Sequence, residues 1–225
     1  MNKKAVVIIS GGMDSTVMLH DVIKQGYEII GALSFNYGQK HAKELGFALK
    51  TCLRLGIDHS IVDLKNLQVL LASALTTDKP IPEGFYEGEN MKQTVVPSRN
   101  TIMLSIASGY AVSKGAGIVF YGAHAGDHTI YPDCRPEYIK KLNACLKIAN
   151  FEPVKVIAPY QDLTKVEIIK KGLELGVRFR DTWTCYKGGE VSCGKCGSCQ
   201  ERLAAFKANG IEDPSEYISR ELISK

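Results

Sequence analysis

The 225-residue sequence contains no apolar run long enough to cross a bilayer, which argues against a helical membrane protein. It has no internal repeat and no low-complexity stretch, so it is not a repeat array. It also has no long block of one charge sign. Its 28 Lys and Arg against 24 Asp and Glu leave a formal charge of +4, which suits an anionic ligand and is weak support for a nucleic-acid surface. Met1-Asn2-Lys3-Lys4 leads into only a short apolar stretch without a cleavage pattern, so no secretory leader is expected. The seven cysteines are an odd number, and four of them fall between Cys185 and Cys199. That distribution points to metal in a reducing compartment rather than to a disulfide framework. The expectation is a soluble cytoplasmic protein whose 45% hydrophobic content supplies one substantial core.

The stretch Ser10-Gly11-Gly12-Met13-Asp14-Ser15 organises the rest. It follows the apolar run Val6–Ile9 and precedes Thr16-Val17-Met18-Leu19, a pattern of buried strand, tight turn and helix. Two glycines let the backbone turn and present N–H groups, and the new helix adds the partial positive charge of its N-terminus. Hydroxyls of Ser10, Ser15 and Thr16 add donors. Asp14 can only accept, so it is expected to orient backbone or a metal-bound water. No lysine follows the glycines and there is no GxGxxG, so neither a Walker loop nor a dinucleotide fingerprint is present.

Strands are expected at Glu28–Phe35, His59–Leu64, Ile118–Gly122 and Val154–Ile157 as well. Helices are expected ahead of Gly26, over Leu45–Leu53, Leu67–Leu75, Asn100–Ser113, Pro136–Ala149 and Thr164–Leu175. This alternation predicts a Rossmann-like parallel sheet with helices on both faces. Cys52 falls on the apolar face of its helix and is read as core. His20, His41 and His59 are read as surface or packing residues. Residues 76–95 break the rhythm with Pro80, Pro82, Gly84 and Gly88, and read as a mobile lid, with a ligand-site loop as the other open reading.

Cys185, Cys193, Cys196 and Cys199 have the spacing of a closed four-thiolate site. Zinc fits best and an iron–sulfur cluster is the rival. Four protein ligands leave no open position, so the site is expected to be structural and to fasten a tail. Domain boundaries follow as 1–181 for the α/β unit with the anion-binding loop and 182–225 for a zinc-binding helical segment. After the fourth strand, Gly122-Ala123-His124-Ala125-Gly126-Asp127 and Tyr131-Pro132-Asp133-Cys134-Arg135-Pro136-Glu137 lie where α/β sheets bind ligands. Arg135 offers a bidentate fork there, although a local pair with Asp133 is an equally open reading. Near Val96-Pro97-Ser98-Arg99-Asn100, Ser98 or Asn100 is expected to cap a helix.

The SGGxDS loop resembles that of the PP-loop ATP pyrophosphatases, which adenylate an oxygen and release pyrophosphate. Together with Phe35–Gln39, Val96–Asn100, Gly122–His124, Tyr131–Glu137 and the cysteine tail, the chain resembles the 7-cyano-7-deazaguanine synthase family over nearly its whole length. Phe35 stands where many relatives carry an acidic residue. The resemblance implies an adenine nucleotide alpha hydrolase-like fold. It implies ATP binding by Ile9, Ser10, Gly11, Gly12, Met13, Asp14, Ser15, Thr16, Val17, Met18, Leu19 and Arg99, with Mg2+ and Zn2+ as cofactors. Asp14, Ser15 and Lys165 are the implied catalytic residues, Lys165 from its place in Pro159–Glu167, where related synthetases turn a lysine toward pyrophosphate. His124, Asp127, Asp133 and Arg135 are the expected substrate contacts. The implied substrates are 7-carboxy-7-deazaguanine, ammonia and ATP, in a homodimer with no membrane or nucleic-acid partner. The other readings are a PP-loop tRNA-modifying enzyme such as a thiolase, which needs a basic RNA surface and a free thiol, and a non-enzymatic zinc-ribbon module.

Overall fold

The computed structural model describes residues 3–223, so Met1 and Asn2 of the expected leaderless N-terminus lie outside them. Strands β1 (Lys4–Ile8), β2 (Glu28–Asn36), β3 (His59–Asp63), β4 (Ile118–Phe120) and β5 (Lys155–Ile157) form one parallel sheet in the order β3-β2-β1-β4-β5. The order runs outward from β1 in both directions. The chain therefore switches sides between β3 and β4 and leaves a crevice at the carboxyl ends of β1 and β4.

Both faces of the sheet are covered, as the strand–helix alternation predicts. Val6 of β1 joins one apolar cluster, while Ala5, Val7 and the following Ile9 join the other. All four are fully buried, which is why the run is continuously apolar instead of alternating. Helices α3 (Arg99–Ser113) and α4 (Pro136–Ala149) cover the first face through Leu104, Ala107 and Leu142. Helices α1 (Met13–Lys24), α2 (Glu44–Leu55) and α5 (Lys165–Glu174) cover the second through Val17, Leu19, Ala48 and Ile168. Cys52 is core, as expected. Among the described residues no helix is long and apolar enough to cross a membrane.

Gly11 fixes how α2 meets the phosphate loop. Its φ is +87°, and a Cβ there would lie 2.0 Å from the Glu44 carbonyl oxygen. The first turn of α2 therefore rests on the loop backbone, an approach that only glycine permits.

Two expectations are corrected. The helix expected over Leu67–Leu75 is a short 3-10 turn at Lys65–Val69. Beyond it, Ser73 and Thr76 bond to local backbone: Ser73 N–H donates to Thr76 Oγ1, and Leu75 N–H donates to Ser73 Oγ. Such bonds compete with helix continuation. The lid expected at 76–95 is instead a packed wall. Gly84 N–H donates to the Lys195 carbonyl at 3.1 Å, and Met91 and Thr94 are fully buried.

Helix α6 (Gly197–Ala208) carries the C-terminal segment. The packing has no gap at residue 182. Trp183 and all four tail cysteines belong to the same apolar cluster as α3, and Ala205 and Phe206 join the opposite cluster. Arg202 holds the last segment. It is 1% exposed, forms a two-pronged pair with Asp213 at 2.6 and 2.9 Å, and donates to Thr182, Thr184, Ser215 and the Phe179 carbonyl. Removing one member of such a pair leaves a buried charge without its partner. Arg202→Ala is therefore expected to destabilise the protein by about 3–5 kcal/mol, read as a lower urea midpoint. A midpoint within a few tenths of a kcal/mol of wild type would show that the network does not hold the tail.

Candidate active site

The phosphate loop shapes itself with its own hydroxyls. Ser10 N–H donates to Ser15 Oγ at 3.2 Å, and Gly12 N–H donates to Ser10 Oγ at 3.1 Å. Ser15 Oγ and Thr16 Oγ1 both donate to the Gly12 carbonyl, at 3.2 and 2.8 Å. Gly12 is the N-cap of α1 and supplies no side-chain bond. The amides of the first turn, at Met13, Asp14 and Ser15, therefore have neither an intrahelical acceptor nor a side-chain cap, the condition of an anion site. Across the crevice, a Cβ on Gly122 would crowd Ser15 N at 3.1 Å, so β4 approaches the helix end closely.

Ile9, Ser10, Gly12, Met13, Asp14 and Ser15 line the cleft. Gly11 sits behind them against α2. Thr16 turns its hydroxyl back to Gly12. Val17, Met18 and Leu19 are fully buried in the core of the second face, because the helix turns them away from its own N-terminus. These three expected nucleotide contacts lie outside the cleft lining.

Lys165 is the first residue of α5. A capping box between Thr164 and Glu167 fixes that helix start. A lysine in the first turn opposes the helix dipole, and two carboxylates offset this. Nζ lies 2.7 Å from Asp14 Oδ2 and 3.3 Å from Glu201 Oε2. Burial works against the charge on Asp14, yet Lys165 and His124 outweigh it and hold the carboxyl below its ordinary range. Burial likewise opposes the ammonium, and Asp14, Glu201 and Asp127 raise its pKa, so Lys165 stays charged. Asp14 Oδ1 is buried without a hydrogen-bond partner. This second oxygen is an open acceptor of the site, and His41 Nδ1 in the same cleft lining is likewise without a partner.

A second lobe surrounds Arg99. Its guanidinium lies 5.5 Å from the Tyr37 ring centre, and Nη1 donates to Tyr37 Oη at 3.3 Å. Burial opposes its charge, but Tyr37, Tyr131 and Asp133 stabilise it. Glu44 faces the same space. Burial pushes its carboxyl up to about 8, against the Gln39 amide that donates to it and the nearby Arg99. Burial, with Arg99 adding to it, pushes His41 down to about 3. At neutral pH both Glu44 and His41 are uncharged. His41 packs tilted against Tyr186 and lines the cleft. Phe35 is buried there too.

The loop after β4 divides the expected substrate residues. His124 and Asp127 line the cleft at a 3-10 turn, where His124 N–H donates to Asp127 Oδ2 at 3.0 Å and Gly126 N–H donates to His124 Nδ1 at 3.1 Å. Tyr86, from the segment expected as a lid, donates to Asp127 Oδ1 at 2.7 Å. Asp133 instead holds the start of α3: Asn100 N–H and Nδ2 donate to its two oxygens at 3.1 and 3.2 Å. The cap comes from Asp133, not from Ser98 or Asn100, because Ser98 sits at φ 54° with no side-chain bond to the helix. Arg135 is exposed and outside the cleft lining, and its Nε donates to the His128 carbonyl at 2.9 Å. The guanidinium that lines the cleft is that of Arg99, which is half-buried.

Below the cleft, the Sγ atoms of Cys185, Cys193, Cys196 and Cys199 lie within 4.8 Å of one another, all buried. Cys193 and Cys199 sulfurs are 4.0 Å apart, too far for a disulfide. A zinc tetrahedron with ordinary Zn–S bonds has sulfur–sulfur edges of about 3.8 Å, so the four thiols fit one ion. A four-iron cluster interposes its irons between the thiolates and spreads them wider. Backbone N–H groups of Cys193, Lys195 and Cys196 donate to cysteine sulfurs at 3.3–3.4 Å, as charged thiolates require.

The family model described as queuosine biosynthesis protein QueC matches residues 4–210. The chain belongs to the QueC family. A curated relative from Marinomonas sp. (strain MWYL1), named 7-cyano-7-deazaguanine synthase, is 55% identical over 218 residues, covering 96% of this chain and 99% of that protein. At much lower identity, the fold is shared with U34-tRNA thiolase NcsA from Methanococcus maripaludis with its 4Fe-4S cluster. That structure is 19% identical with a TM-score of 0.50, over 93% of this chain and 66% of that one. NMN synthetase from Francisella tularensis is 14% identical with a TM-score of 0.52, over 94% and 79%. These two likenesses concern the fold alone.

Glu201, Tyr86, Tyr131 and Tyr186 line or border the cleft without having stood out in the sequence. Each comes from a segment far from the phosphate loop in the chain; Tyr131 opens the Tyr131–Glu137 segment without being singled out there, and the other three lie in no motif that announces a site. Metal analysis of the purified protein is expected to find one zinc per chain and no acid-labile sulfide. Cys196→Ser is expected to lose the metal and lower the melting temperature, because metal binding supplies folding free energy. Iron with sulfide would overturn the single-ion reading.

Proposed function

We propose that this chain converts 7-carboxy-7-deazaguanine, ammonia and ATP to 7-cyano-7-deazaguanine, acting as a carbon–nitrogen ligase. The observation that carries the reading is the uncapped N-terminus of α1, with the charged Lys165 beside it, at the sheet's switch point. This is a seat for the polyphosphate of ATP, within a family whose curated relative bears that activity in its name.

The chemistry follows from the difficulty of the substrate. A carboxylate resists attack until one oxygen becomes a leaving group. In the proposed sequence that oxygen attacks the α-phosphorus of ATP, a new P–O bond forms, and the bond to pyrophosphate breaks. Ammonia then attacks the acyl carbon, the C–O bond to the nucleotide breaks, and an amide results. A second ATP then activates the amide: the amide oxygen attacks its α-phosphorus, a new P–O bond forms, and the bond to pyrophosphate breaks. The oxygen's departure, with loss of the two N–H protons, leaves the nitrile.

The chain's own groups have definite tasks in this scheme. The amides of Met13, Asp14 and Ser15, with Lys165, hold negative charge as it grows on pyrophosphate. Asp14 keeps Lys165 aimed through Oδ2, and its Oδ1 remains for Mg2+ accompanying the phosphates or for a water on that ion. Arg99 and the surrounding tyrosines offer a charged and aromatic lobe to a flat ring or an anionic oxygen. His124 and Asp127 remain the substrate candidates of the β4 loop, whereas Asp133 and Arg135 are assigned to structure. Most of the acceleration then comes from holding two reactants together. Zinc, held by the four cysteines, supplies folding free energy and takes no part in the bond changes. The reading requires only small-molecule substrates. A homodimer belongs to it as an inference from the family.

The direct test incubates the protein with the deazapurine acid, ammonium and Mg-ATP and follows product by mass spectrometry. Nitrile is expected to form only when all three are present. Asp14→Asn is expected to cut turnover by about 100-fold or more, the scale of losing a preorganised electrostatic group. Absence of nitrile from the zinc-loaded wild type, or full turnover by Asp14→Asn, would contradict the assignment.

A further inference from the structure

The charges beside the cleft include one from the four-cysteine segment. Glu201 follows Cys199 by two residues on α6, and its side chain reaches the cleft wall instead of the tail. Oε2 lies 3.3 Å from Lys165 Nζ, and Oε1 lies 3.9 Å from His124 Nε2. The loop after β4 is shaped around it. A Cβ on Gly126 would sit 2.8 Å from His124 Cε1 and 2.9 Å from Glu201 Oε1, so the loop backbone runs close to both side chains. Three parts of the chain thus meet at one carboxylate: the lysine opening α5, the loop after β4 and the helix that carries Cys199.

An ammonium has three N–H donors and a long flexible stem. With Asp14 alone, Lys165 can still swing about that single contact. A second carboxylate from another element fixes its direction and leaves one N–H for a ligand oxygen. We propose that Glu201 is a positioning residue for Lys165, so that the metal-closed tail supplies one of the two anchors of the lysine at the pyrophosphate site. The proposal rests on the reading that Lys165 meets pyrophosphate. It assigns the tail a role beyond fastening the chain: α6 sets the aim of a side chain at the phosphate site. Glu201 touches no reacting atom in this scheme and acts only through the lysine.

Electrostatics separates positioning from a folding defect. Glu201→Gln removes a negative charge beside bound polyphosphate, which cannot weaken ground-state attraction for the anion. Loss of the lysine's aim appears only where charge develops. The expected result is a fall in kcat of about 10- to 100-fold with the KM for ATP unchanged or lower. A double-mutant cycle with Lys165→Met completes the test. If Glu201 works through Lys165, adding Glu201→Gln to Lys165→Met costs no further activity. Zinc content and melting temperature are measured on every variant, and Glu201→Gln is expected to keep one zinc per chain. Wild-type kcat in Glu201→Gln would overturn the proposal. So would a full additional loss in the double variant, or loss of zinc accompanied by a rise in KM. The wild type assayed in parallel keeps this separate from the functional reading: a wild type that makes no nitrile sinks that reading, whereas an active wild type with an additive cycle sinks only the role of Glu201.

Discussion

A buried ammonium between two carboxylates holds this site together. Lys165 is taken out of water, and its charge survives because Asp14 and Glu201 lie within 3.3 Å. Truncating one member of such an arrangement is costly, since it leaves a buried charge short of a partner. The three residues come from α1, α5 and α6, so the ion cluster also states the tertiary fold in miniature. The phosphate loop, the helix covering its strand and the tail must all be in place before the lysine can be charged and aimed.

The tail is tied into the same arrangement. Trp183 N–H donates to the Gly11 carbonyl at 2.9 Å, and the Trp183 indole donates to the Cys185 carbonyl at 2.9 Å. The chain's one tryptophan thereby links the phosphate loop to the cysteine site. On the other side, Gly84 and Glu83 pair with Lys195 and Cys196, tying the proline-containing segment to the same site. Cysteine cluster, cleft wall and phosphate loop form one continuous structure, and the cluster braces the cleft from below.

How much of this was legible in the residues depended on range. The phosphate loop, the parallel sheet and the cysteine site are encoded within short windows, by glycine spacing, apolar runs and thiol spacing, and each could be read directly. Contacts across long separations could not. Glu201 follows Cys199 on a helix whose orientation no local pattern specifies, and Tyr86 lies in a segment whose prolines and glycines suggested a lid. Asp133 and Arg135 illustrate the same point from the other direction. Their neighbourhood was correct, at the end of β4, but direction decided their roles: Asp133 faces the start of α3, and Arg135 turns back to a carbonyl. Val17, Met18 and Leu19 belong to the phosphate-loop stretch in sequence, yet helical twist puts them in the core.

The central claim is that the loop at the end of β1 activates a carboxylate by attack at the α-phosphorus of ATP. It is tested most directly by exchange of radiolabelled pyrophosphate into ATP, with ammonia withheld. The account predicts exchange that depends on 7-carboxy-7-deazaguanine, because reversal of the first step needs only the acyl-nucleotide and pyrophosphate. Exchange that proceeds equally without the acid would contradict it, as would release of orthophosphate in place of exchange.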